Sequence, residues 1–180
     1  MTKRQLHLTA VVVALVAGGL GFWLATREQP VLPPAPESIA VAPEFRPDFT
    51  LAGIDGTQRR STEFAGKAVI FNFWATWCGP CRREIPLLNA LQIEHAAEGL
   101  QIVGIALDTQ ENVVAYQKET PLQYISLYGE LDAMAVGQAF GLDLYGLPVS
   151  VFTDKTGRIV AVHTGELTKA DAAGYLAKIL

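Results

Sequence analysis

The sequence predicts an α/β domain, its sheet partly parallel and covered by helices on both faces, carried behind one N-terminal apolar segment. Three observations point there. Apolar strand-like runs alternate with helical stretches from Phe49 onward, the pattern of a layered sheet-and-helix domain. An uncharged run of nineteen residues, Leu8 to Thr26, is followed by a proline-rich stretch. The only two cysteines, Cys78 and Cys81, stand three positions apart where a buried strand gives way to a helix.

The chain has 180 residues, half of them hydrophobic and 18% charged, with a formal net charge of −4. That balance excludes a chain disordered throughout. It also argues against nucleic acid as a partner, which would call for a basic face. From Asp48 onward there are ten basic and fifteen acidic residues, about −5 for the domain alone. Two cysteines build neither a disulfide framework nor a complete zinc site.

The run from residue 8 to 26 is just long enough to span a bilayer, which takes ~20 apolar residues. Lys3 and Arg4 precede it, while Arg27 and Glu28 cancel after it. The positive-inside rule then leaves residues 1–7 in the cytoplasm and the rest outside. Trp23 falls near the outer interface. A cleaved signal peptide is the competing reading, with Val16-Ala17-Gly18-Gly19 a poor cleavage site. The retained anchor is favoured, and either reading exports the domain. Residues 27–47 hold six of the ten prolines and read as an extended linker. The domain is then 48–180.

Within it, FTLAGIDGTQRRS reads as a hairpin turning at Asp55-Gly56. AVIFNFW, 68–74, is a strand buried on both faces. A helix follows from near Pro80 to about Glu98, with Leu87, Leu88 and Leu91 inward. QIVGIAL, 101–107, is a second buried strand. Glu111 to Thr120 is a helix stopped by Pro121, YISLY (124–128) a short strand, and Leu131 to Phe140 another helix. PVSVFTD and RIVAVHT pair around Lys155-Thr156-Gly157. The last helix starts at Thr168, with Asp171 at capping-box spacing, and presents Ala173, Leu176, Ala177 and Leu180.

The chemistry rests on Cys78-Gly79-Pro80-Cys81. A helix N-terminus offers unpaired N–H groups and partial positive charge, which stabilise a thiolate. Pro80 suits the first turn, and Arg82 and Arg83 add charge nearby. Cys78, expected at the exposed tip, is therefore the candidate nucleophile, with its pKa lowered toward ~7 or below. Cys81, one turn inward, would resolve the mixed disulfide. A structural disulfide is disfavoured because so short a loop constrains the unfolded chain little. A metal site is disfavoured because His95 and His163 stand at no ligand spacing.

FNFWATWCGPCRREIP resembles the active-site segment of thioredoxin-fold proteins, and more narrowly that of the membrane-anchored TlpA/ResA/CcmG group of extracytoplasmic thiol–disulfide oxidoreductases. The resemblance covers roughly residues 45–180. It implies a thioredoxin fold with an N-terminal β-hairpin and a central strand–helix insertion, and a redox-active Cys78/Cys81 pair with no other cofactor. Glu84 matches that group's acid beyond the second cysteine, and the resemblance implies that it tunes or accepts the Cys81 proton. An acid in a helix's first turn is stabilising in any case. Asn72 stands where cytoplasmic thioredoxins carry a buried acid, which adds weight to Glu84. Pro148 matches the cis-proline that faces the cysteines, with Leu147 offering backbone to a client. Val149 departs from the group's frequent threonine. Trp77, Gly79 and Pro80 would flank the client, and Trp74 reads as core. The resemblance further implies a single-pass protein of the bacterial inner membrane with its catalytic domain on the periplasmic side. A membrane thiol transporter would supply electrons, and clients would be proteins such as apocytochrome c or a copper-oxidase assembly protein. The Gly-Pro dipeptide is that of thioredoxin, which favours a reductant. A thiol peroxidase and a copper metallochaperone are the alternative readings.

Overall fold

The computed structural model describes residues 43–180. Residues 1–7, the apolar run 8–26 and most of the linker lie outside the described residues. Among the described residues no helix is long and apolar enough to cross a membrane.

The first hairpin pairs β1 (Thr50–Gly53) with β2 (Gln58–Arg60) in antiparallel register. Its turn is built as the sequence suggests. Asp55 Oδ1 accepts from the Thr57 amide at 3.0 Å, and Gly56 takes a left-handed φ of 81°, which glycine adopts without steric cost. β3 (Ala68–Trp74) follows and is buried at all seven positions. It leads into α1 (Gly79–His95), which ends in one 3-10 turn, Ala96–Glu98. Then come β4 (Leu100–Ala106), α2 (Gln110–Glu119), β5 (Ile125–Tyr128), α3 (Leu131–Ala139), the hairpin of β6 (Val149–Thr153) and β7 (Ile159–Thr164), and α4 (Lys169–Ile179). These elements correspond in order and type to those the sequence predicts, with ends displaced by a residue or two.

The seven strands form one sheet in the order β2-β1-β5-β4-β3-β6-β7. β3, β4 and β5 run parallel; the remaining neighbours are antiparallel. This is the arrangement that the thioredoxin resemblance implies, with the β1–β2 hairpin and β5 extending one edge. The β3–α1–β4 crossover and the β6–β7–α4 unit meet at the centre, so both halves converge on the end of β3 where the cysteines lie.

The sheet buries two apolar layers. One, against α1 and α4, is built on Ile70, Trp74, Ile85, Leu88, Ile102 and Leu176. The other, against α3, is built on Phe71, Phe73, Val103, Leu127, Val136 and Phe140. Burying each of these larger side chains stabilises the fold by ~1.5–3 kcal/mol. In α4 the inward face is Ala172, Leu176 and Ile179, while Ala173, Ala177 and Leu180 are exposed. The helix is thus turned by about one residue from the expected face. Tyr175 stacks on Phe152 with centroids 4.4 Å apart, and this large contact sets the rotation where small alanines do not. The expected capping box is present: the Asp171 amide donates to Thr168 Oγ1 and the Thr168 amide to Asp171 Oδ2, both at 3.2 Å.

Residues 44–46, read from sequence as the end of the linker, run beside β7. The Ile159 amide donates to the Glu44 carbonyl at 2.9 Å, and the Arg46 amide to the Gly157 carbonyl at 2.8 Å. The Arg158 guanidinium pairs with Glu44 at 2.6 Å and lies 5.3 Å from the Phe45 ring centroid.

Candidate active site

Cys78 is the N-cap of α1, and Cys78 and Cys81 are joined in a disulfide with Cα atoms 5.3 Å apart. The Cys81 amide points at Cys78 Sγ, 3.2 Å away, so one of the helix's free N–H donors faces that sulfur. The two cysteines differ in access less than the sequence suggests. Cys78 is only 5% exposed and Cys81 fully buried, which corrects the expectation of an exposed tip. The preceding loop is a tight turn, with the Cys78 amide donating to the Ala75 carbonyl at 3.2 Å. Trp77 is 71% exposed, its ring facing solvent beside the disulfide.

That loop is pinned by Asp108, beyond the end of β4. Its Oδ2 accepts from the Thr76 amide at 3.1 Å and the Thr76 hydroxyl at 2.5 Å. Its Oδ1 accepts from the Thr109 amide at 2.9 Å and Asn112 Nδ2 at 2.7 Å. Burial pushes the Asp108 carboxyl up, but the donors outweigh it and hold it below the ordinary carboxylate range. Sequence reasoning missed Asp108; an acid two positions beyond a buried strand was the available signal.

Glu84 is 1% exposed, one turn beyond Cys81 on the inner side of α1. Its Oε1 accepts from Asn72 Nδ2 at 2.7 Å, and its Oε2 from the Leu167 amide at 2.7 Å. Burial pushes its carboxyl above the ordinary range, and the Leu167 and Asn72 donors oppose this only in part. Asn72 Nδ2 also donates to Ser150 Oγ at 3.0 Å. Neither Ser150 nor the Leu167 amide was legible beforehand, because both depend on how β6 and the β7–α4 loop dock.

The two arginines are engaged elsewhere. Arg83 donates through Nη2 to Glu166 at 2.6 Å, and Arg82 lies 5.5 Å from the Tyr116 ring centroid. The donor that faces Cys78 Sγ is thus the Cys81 amide at the helix terminus, while the Arg83 guanidinium, paired with Glu166, passes beside Gly79. Pro80 occupies the first turn of α1 and Gly79 is its first residue. The Leu147–Pro148 peptide is cis, as the resemblance implies. Val149 pairs with Phe73, so Pro148 lies at the end of the sheet from which the cysteine loop emerges. Leu147 is half-buried and packs against both apolar layers, the one containing the two cysteines included. The site residues expected from sequence thus gather at one end of the sheet, with Glu84 inside and Trp77 outside. Among the described residues, no group of three or more His, Cys, Asp or Glu side chains is placed to hold a metal ion.

The model of the Redoxin family matches residues 40–179. The chain belongs to that family. Among its curated relatives is the thiol-disulfide oxidoreductase ResA of Bacillus thuringiensis strain Al Hakam, 32% identical over 189 residues and covering 99% of both chains. ResA of Geobacillus thermodenitrificans is 30% identical over 185 residues, again across 99% of both. A crystal structure of a thiol:disulfide interchange protein of the thioredoxin family from Chlorobium tepidum superposes with a TM-score of 0.68 at 32% identity. It spans 76% of this chain and 96% of that one. This member of the Redoxin family is a protein thiol–disulfide oxidoreductase of thioredoxin-like fold, and its redox group is a disulfide of its own chain.

Proposed function

We propose that the protein is an extracytoplasmic reductant of client disulfides, tethered to the bacterial inner membrane by residues 8–26, its catalytic domain on the periplasmic side. Cys78 attacks the client disulfide. Cys81 gives its proton to Glu84 and then attacks Cys78 Sγ, which releases the client as a dithiol and leaves the Cys78–Cys81 disulfide. A membrane thiol donor restores the dithiol. The clients we propose are apocytochrome c or copper-oxidase assembly proteins. Trp77, Gly79, Pro80, Leu147 and Pro148 form the surface on which the client lies.

The observation that carries this reading is a buried carboxyl, Glu84, made a stronger proton acceptor by its burial, one helical turn from a cysteine disulfide at a helix N-terminus. The Gly-Pro dipeptide supports the reducing direction, since thioredoxin with the same pair has a potential of about −270 mV. The test is a trap. Cys81→Ser in the full chain removes the resolving thiol, so adducts on Cys78 persist and are released by dithiothreitol. Mass spectrometry should identify exported proteins among them, and Cys78→Ser should trap few. Equal trapping by both variants would refute the nucleophile assignment. A midpoint potential nearer about −120 mV would refute the direction.

A further inference from the structure

Five neighbouring strands each place a small or polar residue at one level of the sheet, and the register aligns them. His163 of β7 pairs with Ser150 of β6, Ser150 with Asn72 of β3, Asn72 with Gly104 of β4, and Gly104 with Ser126 of β5. This row crosses five strands on the face that α1 covers, and Glu84 sits over its middle, on Asn72. Gly104 has a specific reason to be glycine. A Cβ there would lie 2.9 Å from the Tyr124 ring and 3.2 Å from Trp74 Nε1, so both side chains fold over that point of the row.

Four polar atoms around the β3 and β5 part of this row are buried and unmatched. Tyr124 OH, Trp74 Nε1, Ser126 Oγ and Asn72 Oδ1 are buried and have no hydrogen-bond partner among the described residues. Tyr124 is 8% exposed and Ser126 5%. Buried polar groups of this kind are normally satisfied by protein or by internal water. The residues Tyr124 and Ser126, with their hydroxyls buried behind the wall, also line an open cleft of about 520 Å³ with Asp55, Arg59 and Gln101. On the β7 side, Ser150 is matched by Asn72, and His163 faces Tyr175 OH and the Glu166 carbonyl, each at 3.4 Å.

We propose that Tyr124, assisted by Ser126, carries protons between Glu84 and the cleft on the β5 side, so that Glu84 exchanges with solvent while a client covers the cysteines. The proposal rests on the role given to Glu84 above. In client reduction one proton passes from the Cys81 thiol to Glu84, and two electrons pass from the dithiol to the client disulfide. The proton on Glu84 then leaves through the Tyr124 hydroxyl and internal water, and the two client thiolates, one expelled by Cys78 and one by Cys81, each take a proton from solvent. Re-reduction runs the route backwards. The hydroxyl passes a proton on as it receives one and never has to ionise. The charge on Glu84 acts on Tyr124, as does Tyr116 of α2. His163 of β7 and Glu166 of the β7–α4 loop act on Glu84 from the opposite side.

The test uses the reduced full chain mixed with an aromatic disulfide whose thiolate product absorbs visible light. Attack by Cys78 releases one equivalent, and resolution by Cys81 releases the second. Tyr124→Phe keeps the ring and removes only an unpartnered hydroxyl. It should slow the second phase about fivefold or more, enlarge its solvent isotope effect, and leave the first phase and the midpoint potential unchanged. Ser126→Ala should do the same to a smaller extent, and His163→Gln should leave the second phase at the wild-type rate. A wild-type second phase in Tyr124→Phe, or slowing by His163→Gln alone, overturns the route. Glu84→Gln separates the two levels: if it too resolves at the wild-type rate, the role of Glu84 falls along with the route.

Discussion

Glu84 Oε2 accepts a 2.7 Å hydrogen bond from the Leu167 amide, 83 residues away in sequence. One residue earlier on each side, Arg83 pairs with Glu166 at 2.6 Å. Two consecutive residues of α1 therefore hold two consecutive residues of the loop before α4. The outer pair is exposed and contributes ~0–1 kcal/mol. The inner one is buried and ties the candidate proton acceptor to the backbone.

Glu84→Gln should reduce client turnover by about 100-fold, within the range for loss of a positioned acid–base group. Its single acceptor oxygen also cannot serve both Leu167 and Asn72. The pH dependence of stability gives a second readout. Burial raises the folded carboxyl above its unfolded value, so the native state binds this proton more tightly. The Glu84 contribution to stability is then greatest below the unfolded pKa, falls as pH rises through the window up to the folded pKa, and is level above it. Urea midpoints should show that decline in the wild type relative to Glu84→Gln. A difference between the two that grows in the wild type's favour with rising pH would contradict the assignment.

Asn72→Asp places a second carboxyl where the amide nitrogen now stands, 2.7 Å from Glu84. Like charges this close cannot both ionise, so the pair should keep one proton to higher pH and titrate as a unit. The ionisation of Cys81, followed by alkylation or thiolate absorbance, should move to higher pH than in the wild type. An unshifted Cys81 profile would detach this carboxyl from the cysteine.

Cys78 in the reduced protein should be alkylated before Cys81, with a midpoint below the ~8.5 of a free cysteine. Because Arg83 is paired with Glu166 and Arg82 lies over Tyr116, Arg83→Ala should move that midpoint by less than about 0.5 unit, the scale of an exposed charge. A shift of a full unit or more would show that the guanidinium, rather than the helix terminus, governs the thiol.

Asp108→Ala strips acceptors from the Thr76, Thr109 and Asn112 donors. The expected cost is about 1–3 kcal/mol in denaturant titration, since a charged acceptor serving several partly buried donors is lost. The amides of Thr76 and Trp77 should exchange hydrogen faster than those of β3. Unchanged exchange there would mean that the cysteine loop is held by other contacts.

Much of this was legible because its causes are local. AVIFNFW and QIVGIAL announce buried strands by their apolar runs, and Thr168 with Asp171 announces a helix start. The CGPC segment announces its chemistry through the residues beside it. What escaped depends on pairing between distant segments. Asn72, Gly104, Ser126 and Ser150 each interrupt an apolar strand, but only the register of four strands makes one row of them. The burial of Cys78 escapes the sequence because the turn that leads into it is pinned through Thr76 by Asp108, contributed by another crossover. The face of α4 was misjudged because two alanines resemble core until an aromatic stack decides the rotation.

The pairing of Glu44–Arg46 with the Gly157–Ile159 end of β7 bears on how the molecule is assembled and kept from its neighbours. An open strand edge is a template for intermolecular β-addition. Here the N-terminal segment occupies part of one such edge, with the Arg158–Glu44 pair and the Phe45 ring fastening it. The two partners lie more than a hundred residues apart in the chain, so this closure waits until nearly the whole domain has been synthesised. A version of the protein begun after Arg46 would keep every cysteine, proline and carboxyl of the site, yet it would expose the start of β7 to other copies and lose solubility with rising concentration.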